Sequence, residues 1–221
     1  MKNPLPGWLP GENWLRSVLD DRTARILLIC LCGMGWNLLY ALFHFALALL
    51  HGSLWYWTMA VYYLVLGLMK MSVVLMSREG SPKRRRLVMC GNAAALLFLG
   101  SVFAGITFMS MTDFRIPDHG TIVVIAFACF TFTLLSLAIR NILIARKRNN
   151  AVVYASRNIA CAGAIGSVLS LERSMQAAFG AAGDQFSRVL FAVSGMVAFM
   201  LILILSYSMF RHRNDEMDPA H

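Results

Sequence analysis

Carboxylates are scarce in this chain: 11 of its 221 residues are Asp or Glu, against 20 Lys and Arg, and charged residues make up only 14%. The shortage excludes much chemistry. There is no GxSxG, no HExxH and no pair of carboxylates inside an apolar run, so the common acid–base and nucleophile arrangements have no residues to build on. The expectation is a protein that is not an enzyme and carries no cofactor. Cysteine is also sparse. Cys30, Cys32, Cys90, Cys129 and Cys161 form no CxxC pair and no pattern with nearby His, so they read as small buried hydrophobes rather than metal ligands. The opening stretch has no short apolar core followed by a small-residue cleavage site, and is not read as a signal peptide.

What is abundant is apolar. At 58% hydrophobic residues and a mean hydropathy of +0.63, the chain has more apolar surface than one soluble core can hide. Runs long enough to cross a hydrocarbon core fall at about 26–50, 54–76, 87–111, 121–145, 151–171 and 189–210. Strand-length alternation does not recur, and loose backbone groups have no water in a bilayer, so helices are expected rather than a barrel. The expected fold is an all-α integral membrane protein, a six-transmembrane-helix bundle over residues 26–210. Residues 1–25 would be a cytoplasmic or interfacial segment and 211–221 a cytoplasmic tail. Within the first segment, Trp8, Leu9, Trp14, Leu15, Val18 and Leu19 recur at helix-like intervals among charges, which suits either a short amphipathic helix in the headgroup layer or a plain tail.

Basic residues set the orientation, because loops rich in Lys and Arg resist translocation. Arg16, Arg22 and Arg25 precede the first run, Arg78 and Lys83 to Arg86 follow the second, Arg146 to Arg148 follow the fourth, and Arg211 and Arg213 follow the sixth. The opposite loops carry Arg115, Arg173 and Arg188. Both termini are therefore expected to be cytoplasmic in a multi-pass protein of the cell membrane. The net charge of +9 is explained by juxtamembrane clusters such as "SPKRRR" and "ARKRNN" meeting anionic lipid headgroups, with no call for nucleic acid. Between the third and fourth runs, Asp113, Asp118 and His119 could hold a cation loosely, but their composition is ordinary for a turn.

Polar residues inside the runs draw attention. Asn37, Tyr40 or Ala41, His44, Ala48 and His51 lie at helical spacings and give the first helix one polar face. The second presents Met59, Tyr62 or Tyr63, Leu66 and Lys70 on a comparable face, with His44 and Tyr62 at similar depth. Polar groups in hydrocarbon are costly unless paired or wet, so such a seam either lines a path or binds helices together. Lys70 and His51, near span ends, read as snorkelling residues. In the fifth run, Ser156, Ala160, Gly163, Ser167 and Ser170 form a small-residue stripe, and Arg157 and Asn158 stand about two turns in. Trp55, Tyr56 and Trp57 suit an interfacial anchor or an outer mouth.

The run "NLLYALFHFALALLHGSLW" resembles the first hairpin of the cation diffusion facilitator transporters, through Asn37, His44, Ala48, Gly52 and Ser53. Six helices, cytoplasmic termini and a small-rich fifth helix after a basic loop are also similar to that family's membrane part. The departures are specific. Where the family places a His or Asp and an Asp four residues apart on helix 2, this chain has Tyr62 and Leu66, and its fifth run offers no His or carboxylate. With 11 residues after the sixth run, 211–221, the family's soluble metal-sensing domain is not expected. The resemblance thus implies the architecture, and a homodimer as the assembly, rather than zinc transport.

Two functions fit. One is a small transporter or channel that moves an ion or polar solute through a seam between helices 1, 2 and 5, with Asn37, Tyr40, His44, Tyr62, Arg157 and Asn158 as the pathway. The other is a membrane scaffold or pseudo-transporter that acts through lipid or protein partners.

Overall fold

A backbone removed from water must bond to itself, which turns long apolar runs into helices. The computed structural model describes residues 22–78, 81–112, 120–146, 151–179 and 185–215, and among them has six helices and no strand. These are α1 (Arg22–His51), α2 (Leu54–Arg78), α3 (Pro82–Thr112), α4 (Gly120–Arg146), α5 (Ala151–Ala178) and α6 (Gln185–Asp215). Each is long and apolar enough to cross a membrane.

The helices outrun the apolar runs. The basic residues 83–86 form the first turns of α3 rather than a loop, and α5 continues to Ala178, past the expected end at 171, so that it includes Glu172 and Arg173. The expected amphipathic segment around Trp8 to Leu19, and Asp113, Asp118 and His119, lie outside the described residues.

Only Gly52 and Ser53 separate α1 from α2. Gly52 takes a φ of 62°, and its N–H bonds the Ala48 carbonyl at 2.9 Å, closing α1 with a left-handed cap. The Ser53 carbonyl then accepts the N–H groups of Tyr56 and Trp57 at 3.1 and 3.3 Å, which starts α2 in the opposite direction.

The most extensive pairings are α1 with α2, α3 with α6 and α4 with α5, while α5 also touches α1, α2, α3 and α6. Equal offsets in the pairs Cys30–Ser156 and His44–Ser170 show that α1 and α5 run parallel. At the extremes, burial runs against hydropathy. The two most apolar spans, in α4 and α6, are 22% and 28% buried, whereas the least apolar, in α5, is 72% buried. Large apolar side chains such as Leu50, Phe98 and Ile122 face outward, and Asn37, His44, Asn158, Ser167 and Ser206 are fully enclosed. That is the arrangement expected when the surroundings are as apolar as leucine and the interior carries the polar groups.

Close approach of α2 to α5 depends on Gly166. A Cβ there would stand 2.7 Å from the Tyr62 ring and 3.1 Å from the Tyr63 hydroxyl, whereas one at Gly91 meets open space. Gly166→Val is therefore expected to destabilise by about 1–3 kcal/mol through overpacking. Gly91→Ala should be neutral or stabilising. Thermal unfolding of the detergent-solubilised protein measures both, and equal effects would contradict this packing.

Candidate functional site

The site starts with two neighbouring tyrosines. Tyr62 donates its hydroxyl to the Ala162 carbonyl at 2.8 Å, and Tyr63 donates to the Gly163 carbonyl at 3.1 Å. In a helix, the side chain at i+4 leans back over the carbonyl of residue i. The residues four on are Gly166 and Ser167, so both carbonyls are left open to a second donor. Thr131 of α4 uses the same wall, donating to the Ser167 carbonyl at 3.0 Å.

Polar groups continue from here in both directions. One way, His44 sits fully buried with Nδ1 3.0 Å from the Tyr40 carbonyl and Nε2 3.3 Å from the Ser170 hydroxyl. A carbonyl only accepts, so Nδ1 carries the proton, and in the neutral ring Nε2 accepts from Ser170. The rings of Tyr40, Tyr63 and Phe127 surround it, with centroids at 4.5, 5.5 and 5.2 Å. Beyond lie Tyr56 and the buried Arg173, whose guanidinium stacks over Trp55 at 4.8 Å and Phe191 at 5.2 Å. The other way come Asn37, in a layer with Leu66 and Gly163, and then Lys70 with Gly33, Cys30 and Ser156.

Asn37, Tyr40 and His44 thus come together as their spacing predicts. Tyr62 does not face His44: the one-residue step along α2 puts Tyr63 against the imidazole and turns Tyr62 toward α5 and Phe103. Arg157 and Asn158 belong to another contact. Asn158 donates to Ser208 at 3.1 Å and Leu205 at 3.4 Å of α6, and accepts from Arg157, which lies over the Tyr154 ring at 4.3 Å. Lys70 does not snorkel. It is 3% exposed, with Nζ bonded to the Gly33 carbonyl at 3.0 Å, because glycine leaves room on α1 for the ammonium. The spacing left Tyr62 and Tyr63 as alternatives on the α2 face, of which only Tyr62 was carried into the pathway, and it missed Cys30, Thr131 and Arg173.

Magnitudes separate the members. Hydrogen bonds between membrane helices average about 0.6 kcal/mol, while a buried polar group left without a partner costs about 1–3 kcal/mol. Tyr62, Tyr63, Thr131 and Asn158 are partnered and bind helices together. Asn37 is fully buried, and neither its amide nitrogen nor its oxygen has a hydrogen-bond partner. Helix adhesion does not account for it.

Among the described residues, no three His, Cys, Asp or Glu side chains gather where a metal could be held. The groove between α4, α5 and α6 opens outward and is lined mainly by residues such as Leu135, Ile139, Val168 and Leu201, so it offers little to a polar solute. No family model and no curated protein matches this chain.

Substitutions test the division. Asn158→Leu should lower stability by about 1–3 kcal/mol, since it strips partners from Arg157 and Ser208. Asn37→Leu should leave the thermal midpoint unchanged or raised, and a marked loss would make Asn37 structural.

Proposed function

We propose that the protein is a multi-pass membrane protein of the cell membrane, both termini cytoplasmic, and that an ion or small polar solute crosses through the seam between α1, α2 and α5. The observation that carries this reading is Asn37, enclosed and unpartnered midway along a column of polar groups that runs from Lys70 to Arg173. A polar side chain held in hydrocarbon without a partner is most simply explained by a ligand that partners it in another state. Supporting this, apolar side chains face outward over the whole bundle, and the basic residues gather at one end of it. The likeness of Asn37, His44, Ala48, Gly52 and Ser53 to the facilitators' first hairpin supports a transporter architecture, with Tyr62 and Leu66 in place of metal ligands.

The mechanism follows from bond strength. At about 0.6 kcal/mol each, the hydrogen bonds of Tyr63, Ser170 and their neighbours can be exchanged for bonds to a passing solute at little cost. His44 has Nδ1–H tied to its own helix and Nε2 turned to Ser170, so Nε2 is the atom that accepts or donates as the seam opens. Tyr40, with its hydroxyl enclosed beside Thr131 and Ser170, completes the wall. Tyr62 braces α5. Arg157 and Asn158 join α5 to α6 and stand outside the path.

A flux screen on purified protein in liposomes, over protons, monovalent and divalent cations and small anions, tests this. His44→Ala and Asn37→Leu are expected to cut flux by about tenfold or more, equivalent to about 1.4 kcal/mol, with the fold retained. Wild type that moves nothing above empty liposomes would sink the path and leave a scaffold.

A further inference from the structure

The formal charges that the seam buries are both positive. Lys70 lies about 9 Å in from the end of its span at Met76, at 1.5 Å per residue. Of its three N–H groups, one bonds the Gly33 carbonyl at 3.0 Å. Its other described neighbour is the Cys30 thiol, which itself donates to Ser156 at 3.4 Å. Neither is a carboxylate. Glu172, the acidic residue of α5, faces Gln176 and Ser194 on the α6 side, and among the described residues no carboxylate stands against Lys70.

Asn37 stands four residues beyond Gly33 on α1. A helical side chain covers the turn N-terminal to its own Cα, so Asn37 leans over the turn whose carbonyl holds Lys70. Its amide nitrogen is buried and has no acceptor. The ammonium at the Gly33 carbonyl and the amide of Asn37 therefore stand one helical turn apart on α1; the amide oxygen, also without a partner, lies on the Gly163 side, which leaves the amide N–H groups as the idle donors. A buried ammonium without a counter-charge is costly. A bound anion relieves that cost and occupies the idle donors, whereas a cation meets repulsion from Lys70. At the opposite end Arg173 adds a second fixed positive charge over Trp55.

We propose that Lys70 and Asn37 form a binding site for one small anion of halide or nitrate size, and, resting on the path reading above, that small anions are what the seam carries. Positive side chains and hydroxyl or amide donors, without carboxylates, are the lining that selects anions in narrow pores.

The test uses the full-length protein in two arms. In detergent, thermal midpoints are compared in sodium chloride, sodium nitrate and sodium gluconate at equal ionic strength. Wild type and Lys70→Arg should rise by roughly 3 °C for each tenfold increase of chloride or nitrate above half-saturation, and not with gluconate. Lys70→Met, in which an apolar chain of similar length replaces the ammonium, should fold and lose the dependence. In liposomes, chloride efflux should exceed sodium efflux and fall about tenfold or more in Lys70→Met. A wild-type midpoint indifferent to chloride overturns the anion site, and cation flux in the same preparation would leave the path standing without it. Chloride stabilisation lost in Lys70→Met, with no flux of any ion, supports the site and removes the path.

Discussion

The interior is organised by the close approach of α2 to α5 at Gly166, which brings two tyrosine hydroxyls to the α5 backbone. Tyr62 and Tyr63 bond consecutive carbonyls, at Ala162 and Gly163, and they can do so because the residues that would shield those carbonyls are Gly166 and Ser167. This close approach brings α2 onto α5 and with it α1, since α1 and α2 are joined by the two-residue turn at Gly52. His44, Asn37 and Lys70 are then enclosed as a consequence. A larger residue at Gly166 would separate the helices and open the same groups to their surroundings.

The result is a bundle whose hydropathy runs opposite to that of a water-soluble protein. The most apolar helices, α4 and α6, are the least covered, and α5, with its Ser and Gly residues, is the most covered. Each polar side chain in the interior must then be partnered, be costly, or await a ligand. Asn158 is partnered through α6. Asn37 is not, and Lys70 has a carbonyl where a counter-charge is needed. Sorting enclosed residues by their partners separates the adhesive contacts from the candidate path.

Much of the fold was legible in the chain. Apolar runs marked six helices, and the spacing of Asn37, Tyr40 and His44 marked the face of α1 that turns inward. Of the stripe Ser156, Ala160, Gly163, Ser167 and Ser170, four members mark the wall of α5 and are reached by four side chains from three helices, Cys30, Tyr63, Thr131 and His44, while Ala160 packs with Ala138 and Ala164 instead. Less was legible at charged positions. The fifth run was ended where Glu172 and Arg173 put two charges in succession, and Lys70 was read as snorkelling. The partners that bury Arg173 and Lys70, Trp55 and Gly33, come from other helices and leave no periodic trace. Tyr63 could not be told from Tyr62 because adjacent side chains differ by about 100° around a helix. Which one faces His44 depends on how α2 is rotated. Asn158 turned toward α6 for the same reason, since periodicity gives a face but not the neighbour it meets.

A seam that passes solute must also admit water, and Cys30 is its native reporter. It is buried 14 residues before His44 on the same polar column and donates to Ser156, whereas Cys32 faces outward. Variants retaining only Cys30 or only Cys32, the others replaced by Ala, can be treated in intact vesicles with a water-soluble, membrane-impermeant thiosulfonate. Cys30 is expected to be labelled and Cys32 to stay unlabelled. Cys30 left untouched in the vesicles, while the unfolded protein labels fully, would contradict it.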